Sequence, residues 1–156
     1  MAAISEVTAA TDASREQSEA VVHGSSRGFL QSVRVADHNF VADEPVSSGG
    51  GDAGPNPYDL LISALGACTS MTVSMYARKK GWPLDAVTVR LHHTKVCAND
   101  CADCETKDGM IDRIHRAIEL HGDLNEEQRT RLLAIANKCP VHRTLTSEID
   151  IRTRLV

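Results

Sequence analysis

The chain has 156 residues, a length that fits one domain, with a formal net charge of −4 and 42% hydrophobic residues. An acidic balance with no basic stripe argues against nucleic-acid binding. One Trp, two Tyr and two Phe leave the core to aliphatic side chains.

Residues 1–18 are small and polar and read as a flexible N-terminal tail, so the folded domain is expected over 19–156. No apolar run reaches the roughly 18 residues of a bilayer span, and no basic flank precedes an apolar h-region. No membrane partner and no signal peptide are therefore expected. Five cysteines without an export signal point to a reducing compartment, the cytoplasm. There they serve more often in catalysis, metal binding or packing than in structural disulfides.

Ala20-Val21-Val22-His23 reads as a short strand, and Phe29 to Ala36 as another, with Phe29, Val33 and Val35 at period-two spacing. Asp37-His38-Asn39 is a turn signal, and Phe40-Val41-Ala42 returns as a hairpin partner. Ser47 to Gly54 is Gly-rich and reads as a mobile loop. Asn56 then suits a helix cap, Pro57 the first helical position and Asp59 the first turn. Leu60, Leu61, Ala64, Leu65, Cys68, Met71, Thr72 and Met75 form an apolar stripe at helical spacing. Arg78, Lys79 and Lys80 suit the C-terminal end of the dipole, and Gly81 with Pro83 ends the helix. Val87, Val89 and Leu91 alternate as a strand. Ile111 to His121 fits either helix or strand and is read as strand, because Gly122-Asp123 ends it and a new helix starts at once. Asn125 and Gln128 have capping-box spacing, and Leu132, Leu133, Ile135 and Ala136 are expected to face inward. Ile149 to Leu155 alternates as a last strand. The sum is α+β, an antiparallel sheet packed on two helices.

Chemistry concentrates on cysteines. Cys139 precedes Pro140, so it falls at the N-cap of a new short helix, with His142 and Arg143 as added positive charge. These features lower a thiol pKa, although a Cys that merely packs at a helix break has the same sequence. Cys68 lies mid-helix among apolar residues and taken alone reads as a small core residue. Cys97, Cys101 and Cys104 follow His92 and His93; the Cys101-x-x-Cys104 spacing suits zinc, redox exchange or a plain polar loop.

Gly54-Pro55-Asn56-Pro57-Tyr58-Asp59-Leu60-Leu61, Ala64-Leu65-Gly66-Ala67-Cys68 and Lys138-Cys139-Pro140-Val141-His142 together resemble the OsmC/Ohr family of peroxide-reducing proteins, over roughly residues 19–156. Asp100-Cys101-Ala102-Asp103-Cys104-Glu105 and Cys139 to Leu145 resemble its OsmC-like branch. The resemblance implies an OsmC-like fold in which antiparallel sheets wrap two central helices of an intertwined homodimer, with sites at the subunit interface. It also implies that Cys68 attacks a peroxide and becomes a sulfenic acid, that Cys139 closes a disulfide with it, and that an external dithiol restores both, with no cofactor. The family's supporting Arg would correspond to Arg27 or Arg34, with His38 another cation. Its Glu is replaced by Tyr58, and a carboxylate stands only at Asp59. A second reading keeps the fold without the enzyme: a small-molecule or zinc-binding module using His92, His93, Cys97, Cys101 and Cys104.

Overall fold

The computed structural model describes residues 19–102 and 104–156, so the tail read over 1–18 lies outside the described residues. The chain forms two compact units that meet in sequence at Pro57 and Tyr58.

The first unit is a three-stranded antiparallel sheet of β1 (Ala20–Gly24), β2 (Gln31–Val35) and β3 (His38–Ala42), in that spatial order. Val22, Val33 and Phe40 share one rung. His38 opens β3 instead of sitting in the turn; the turn falls on Ala36 and Asp37, with Ala36 at φ 50°. The Gly-rich segment is more closely built than its composition suggests. Asp43, only 4% exposed, takes the N–H groups of Glu44, Gly51 and Ala53 on its carboxylate. A side chain on Gly50 would strike the Glu44 carbonyl, which explains glycine there. The loop is wound around a buried acceptor whose three donors satisfy it.

The second unit contains α1 (Pro57–Lys80), β4 (Ala86–Cys97), β5 (Met110–His121), α2 (Glu126–Ala136) and α3 (Pro140–Leu145). In α1 the buried row is Leu65, Thr69, Val73 and Ala77, spaced by four. Val73 and Ala77 share a core with Leu124, Leu132 and Ala136, flanked by Tyr76, Trp82, Val87 and Ile118. The expected stripe is therefore rotated: Met71 and Met75 are 71% and 58% exposed. By length and composition α1 is also apolar enough to cross a membrane, with a mean hydropathy of 1.5, contrary to the sequence reading. Its buried row packs as a core helix does, and core helices pass the same test.

β4 and β5 pair antiparallel from Ala86↔His121 to Cys97↔Met110. The strand reading of 111–121 holds, and β4 runs six residues past Leu91, taking His92, His93 and Cys97 into the ladder. Cross-strand pairing, not local alternation, sets that length. α2 starts with the expected capping box: Gln128 N–H donates to Asn125 Oδ1, and Asn125 N–H to Gln128 Oε1. Leu132, Ile135 and Ala136 face the core, but Leu133 is 56% exposed, off the i, i+3, i+4 row. Residues 149–155 form no strand, and Ile151 and Leu155 stand in solvent. Alternation supplies a face but not the hydrogen-bonding partner a strand requires.

Candidate redox centre

α3 begins where the sequence places it. Pro140 occupies the first turn, and Cys139 is the N-cap, its Sγ accepting the His142 N–H at 3.3 Å. Cys139 is fully buried. Its sulfur lies 3.6 Å from the Oγ1 of Thr69, the residue after Cys68 on α1, and the Cys68 thiol is within hydrogen-bonding reach of it. Residues 71 positions apart thus share one centre, and Cys68, half-buried, is the more accessible.

The cation of this centre is Arg116 on β5. Its guanidinium donates to Thr69 Oγ1 at 2.9 Å, to the Ala136 carbonyl at 3.4 Å and to Asn137 Oδ1 at 2.6 Å. All three acceptors are neutral, so none cancels its charge. Thr69 has one hydroxyl proton and two acceptors, Leu65 O at 2.7 Å and Cys139 Sγ. An ionised sulfur is the stronger acceptor, and Leu65 O keeps its helical N–H partner when the hydroxyl turns. Burial pushes the Cys139 thiol up. The His142 N–H, the Thr69 hydroxyl, the Cys68 thiol and the Arg116 charge outweigh it, and the result lies below the ordinary thiol value of 9.0. Burial and Arg116 both hold His142 below its usual 6.5, so it is uncharged at neutral pH and is not the added cation expected from sequence. A cleft of about 400 Å³ lies alongside, lined by Leu65, Asp112, Ile114, Arg116, His142 and Leu145.

A family model described as OsmC-like protein matches residues 49–154. The chain belongs to the OsmC-like family. Solved structures agree in fold. An organic hydroperoxide resistance protein OsmC of Legionella pneumophila is 21% identical, with a TM-score of 0.63 over 86% of this chain and 92% of its own. OhrB of Bacillus subtilis is 18% identical, with a TM-score of 0.60 over 86% and 93%. An osmotic stress and detoxification response protein of Psychrobacter arcticus is 20% identical, with a TM-score of 0.63 over 80% and 85%. No curated protein matches.

The other residues singled out in this OsmC-like chain have different settings. Arg27, Arg34 and His38 belong to the first unit, all exposed: Arg27 in the β1–β2 turn, Arg34 opposite Val21 and Asn39, His38 opposite Val35. Tyr58 stacks on His93 with ring centres 4.3 Å apart, and Lys95 approaches its ring at 5.7 Å. His93 and Lys95 both bind Asp112, at 2.8 and 2.9 Å. Lys95 first and His93 second hold the Asp112 carboxyl below the usual carboxylate range. Asp59 lies in the first turn of α1, and Arg143 is exposed in the last turn of α3. His92 is exposed opposite His115, on the other face of β4 from His93. Cys101 and Cys104 form a disulfide with Cα atoms 5.4 Å apart. In this oxidised state the pair offers no thiolate to a metal. Among the described residues no three His, Cys, Asp or Glu side chains gather as a metal group.

Sequence reasoning missed Arg116, Thr69 and Asn137. One signal was present. Arg116 follows Ile114 and precedes Ile118 on the inward face of β5, and a lone charge in an apolar row marks a site or a partner.

Proposed function

We propose that this OsmC-like protein is a thiol-dependent peroxidase that reduces organic hydroperoxides or hydrogen peroxide, with an external dithiol as electron source. The observation that carries the reading is the meeting of Cys68 with Cys139 beside the Arg116 guanidinium. The names of the Legionella and Bacillus proteins, both organic hydroperoxide resistance proteins, support it. In this reading Cys139 first takes the Cys68 proton. The Cys68 thiolate attacks one peroxide oxygen, the O–O bond breaks, and the leaving alkoxide or hydroxide takes the proton held by Cys139 and departs as alcohol or water, which restores the Cys139 thiolate. The Cys139 thiolate then attacks the Cys68 sulfenic acid, an S–S bond forms, and water departs. Two thiols of an external dithiol reduce that bond and close their own.

The accessible thiol meets the substrate and the buried one is held below the ordinary thiol range, which suits attacker and resolver respectively. Arg116 stabilises the negative charge that moves between sulfur and oxygen. Asp112, paired with Lys95 and His93, takes no place on Arg116; Tyr58 supports that pair through His93 in place of the family's Glu.

The reading includes a homodimer. Leu61, Met71 and Met75 on α1 are exposed, as are Val21, Val22, Phe40 and Val41 in the first unit. That is more apolar surface than a monomer ordinarily leaves in water, and a second copy offers the same surfaces in return.

The test is consumption of cumene hydroperoxide, tert-butyl hydroperoxide and hydrogen peroxide with dihydrolipoamide or dithiothreitol. Wild type turns over at least one of them, Cys68→Ser turns over none, and Cys139→Ser accumulates sulfenic acid on Cys68 that dimedone traps. Absence of turnover with every pairing, in protein whose thiols are verified reduced, would falsify the enzyme assignment.

A further inference from the structure

The Cys101–Cys104 disulfide lies in the loop joining β4 to β5, outside the centre just described. Its position argues against a mechanical role. The hairpin is already closed by the Cys97↔Met110 pair, and Ala98 N–H donates to Gly109 O at 2.8 Å. Ala98 is 1% exposed and anchors the loop, and Arg113 donates to the Asp100 carbonyl. The cross-link joins residues three apart in one loop, ties no two elements together, and closes a ring too short to remove much unfolded-state entropy.

Its surroundings suit exchange. Both cysteines are only partly covered, so a thiolate from outside can reach either sulfur. The Lys107 ammonium donates to the Cys104 carbonyl at 2.7 Å, which fixes a positive charge beside Cys104 as a leaving thiolate. Asp100, Glu105 and Asp108 oppose that effect but favour a donor bearing positive charge. The two thiols stay on one four-residue stretch when reduced, so they reclose without a search. Among the described residues neither cysteine of the pair bonds to Thr69, Arg116 or Cys139, and exchange requires sulfur–sulfur contact.

We propose that Cys101–Cys104 is a second, independent dithiol–disulfide site that accepts electrons from an external dithiol. One donor thiolate attacks Cys101 Sγ, the S–S bond breaks, and a mixed disulfide forms while Cys104 leaves beside Lys107 and takes a proton. The donor's second thiol attacks that mixed disulfide, closes the donor's own S–S bond and releases Cys101 as a thiol. Two electrons and two protons pass to the protein. The proposal stands apart from the peroxidase reading, since it uses neither Cys68 nor Cys139.

The experiment equilibrates full-length protein with graded ratios of reduced to oxidised dithiothreitol, alkylates free thiols and reads each cysteine by peptide mass spectrometry. Cys101 and Cys104 are expected to open together, reclose on reoxidation, and show a midpoint ratio unchanged within twofold in Cys139→Ser. Melting of Cys101→Ser is expected less than about 8 °C below wild type. The proposal is overturned by any of four results: a pair that stays closed in millimolar dithiothreitol, a pair that never recloses, a midpoint that moves with Cys139→Ser, or a Cys101→Ser melting point lowered by 8 °C or more. Loss of peroxide turnover leaves all four readouts intact, so the two readings fail separately.

Discussion

Two cysteine pairs in this chain are brought together by opposite routes. Cys68 and Cys139 lie 71 residues apart, and three elements bring them together: the middle of α1, the start of α3 and the inward Arg116 of β5. Cys101 and Cys104 lie three apart in one loop and meet by spacing alone. The first pair has a burial cost and tuned partners; the second has access and little else. The Cys139 thiol is shifted by its local helix cap together with the distant Thr69 and Arg116, whereas spacing alone holds the two loop sulfurs within bonding distance.

The most severe way to break the contrast is Cys68→Ser, which is expected to lower peroxide turnover by at least about 10³-fold, as loss of a nucleophile does. Cys101→Ser should leave it within about twofold. A comparable loss in both variants would mean that the loop feeds the centre and that the pairs are one system. The double substitution of Met71 and Met75 by Glu should convert a dimer to monomer in sedimentation analysis; an unchanged mass in wild type and variant would remove the second copy from the account. Arg116→Met removes a charge-assisted partner worth roughly 1.5–3 kcal/mol, about 10- to 100-fold in rate. Thiolate absorbance at Cys139 should then appear at higher pH, with Arg116→Lys falling between. No change in that pH profile would leave Arg116 a merely structural strut.

Acid lability should distinguish the pairs too. Cys139 titrates below its unfolded 9.0 and His142 below its unfolded 6.5, so through both windows the native state binds fewer protons than the unfolded. Stability therefore rises with pH there and falls as pH drops through each folded value. Denaturant midpoints across pH 5 to 9 check this, and Cys139→Ser should flatten the upper part of the slope. A disulfide does not titrate, so Cys101→Ser should leave the slope unchanged. The smallest effect is a control on neither pair. Asn125→Ala removes a capping box and should cost about 1 kcal/mol of stability, read as a melting shift with turnover per folded molecule unchanged.

Much of this was legible in the amino acids because it is local. Pro57, Pro140, the Asn125–Gln128 box and the Cys139 cap act within a few residues, and each element they mark is found. What sequence does not carry is which side of an element meets which other. Within one copy the buried row of α1 differs from the stripe read in the sequence, because Thr69 turns inward to its hydrogen bonds while Met71 and Met75 stay mostly exposed. The extension of β4 through His93 to Cys97 depends on partners across the ladder. The inward row of β5 marks Arg116, but its role depends on Asn137, Thr69 and Cys139, none of them near it in sequence.

Cys139, the resolving sulfur of the proposed cycle, is also the cap of a six-residue helix. A sulfur locked into a disulfide is a weaker acceptor than a thiolate, and so short a helix has little stability of its own. Oxidation of this centre should therefore register as faster amide exchange at His142 and along α3. The start of α3 becomes a built-in gauge of the electron count on the two sulfurs, readable without any label.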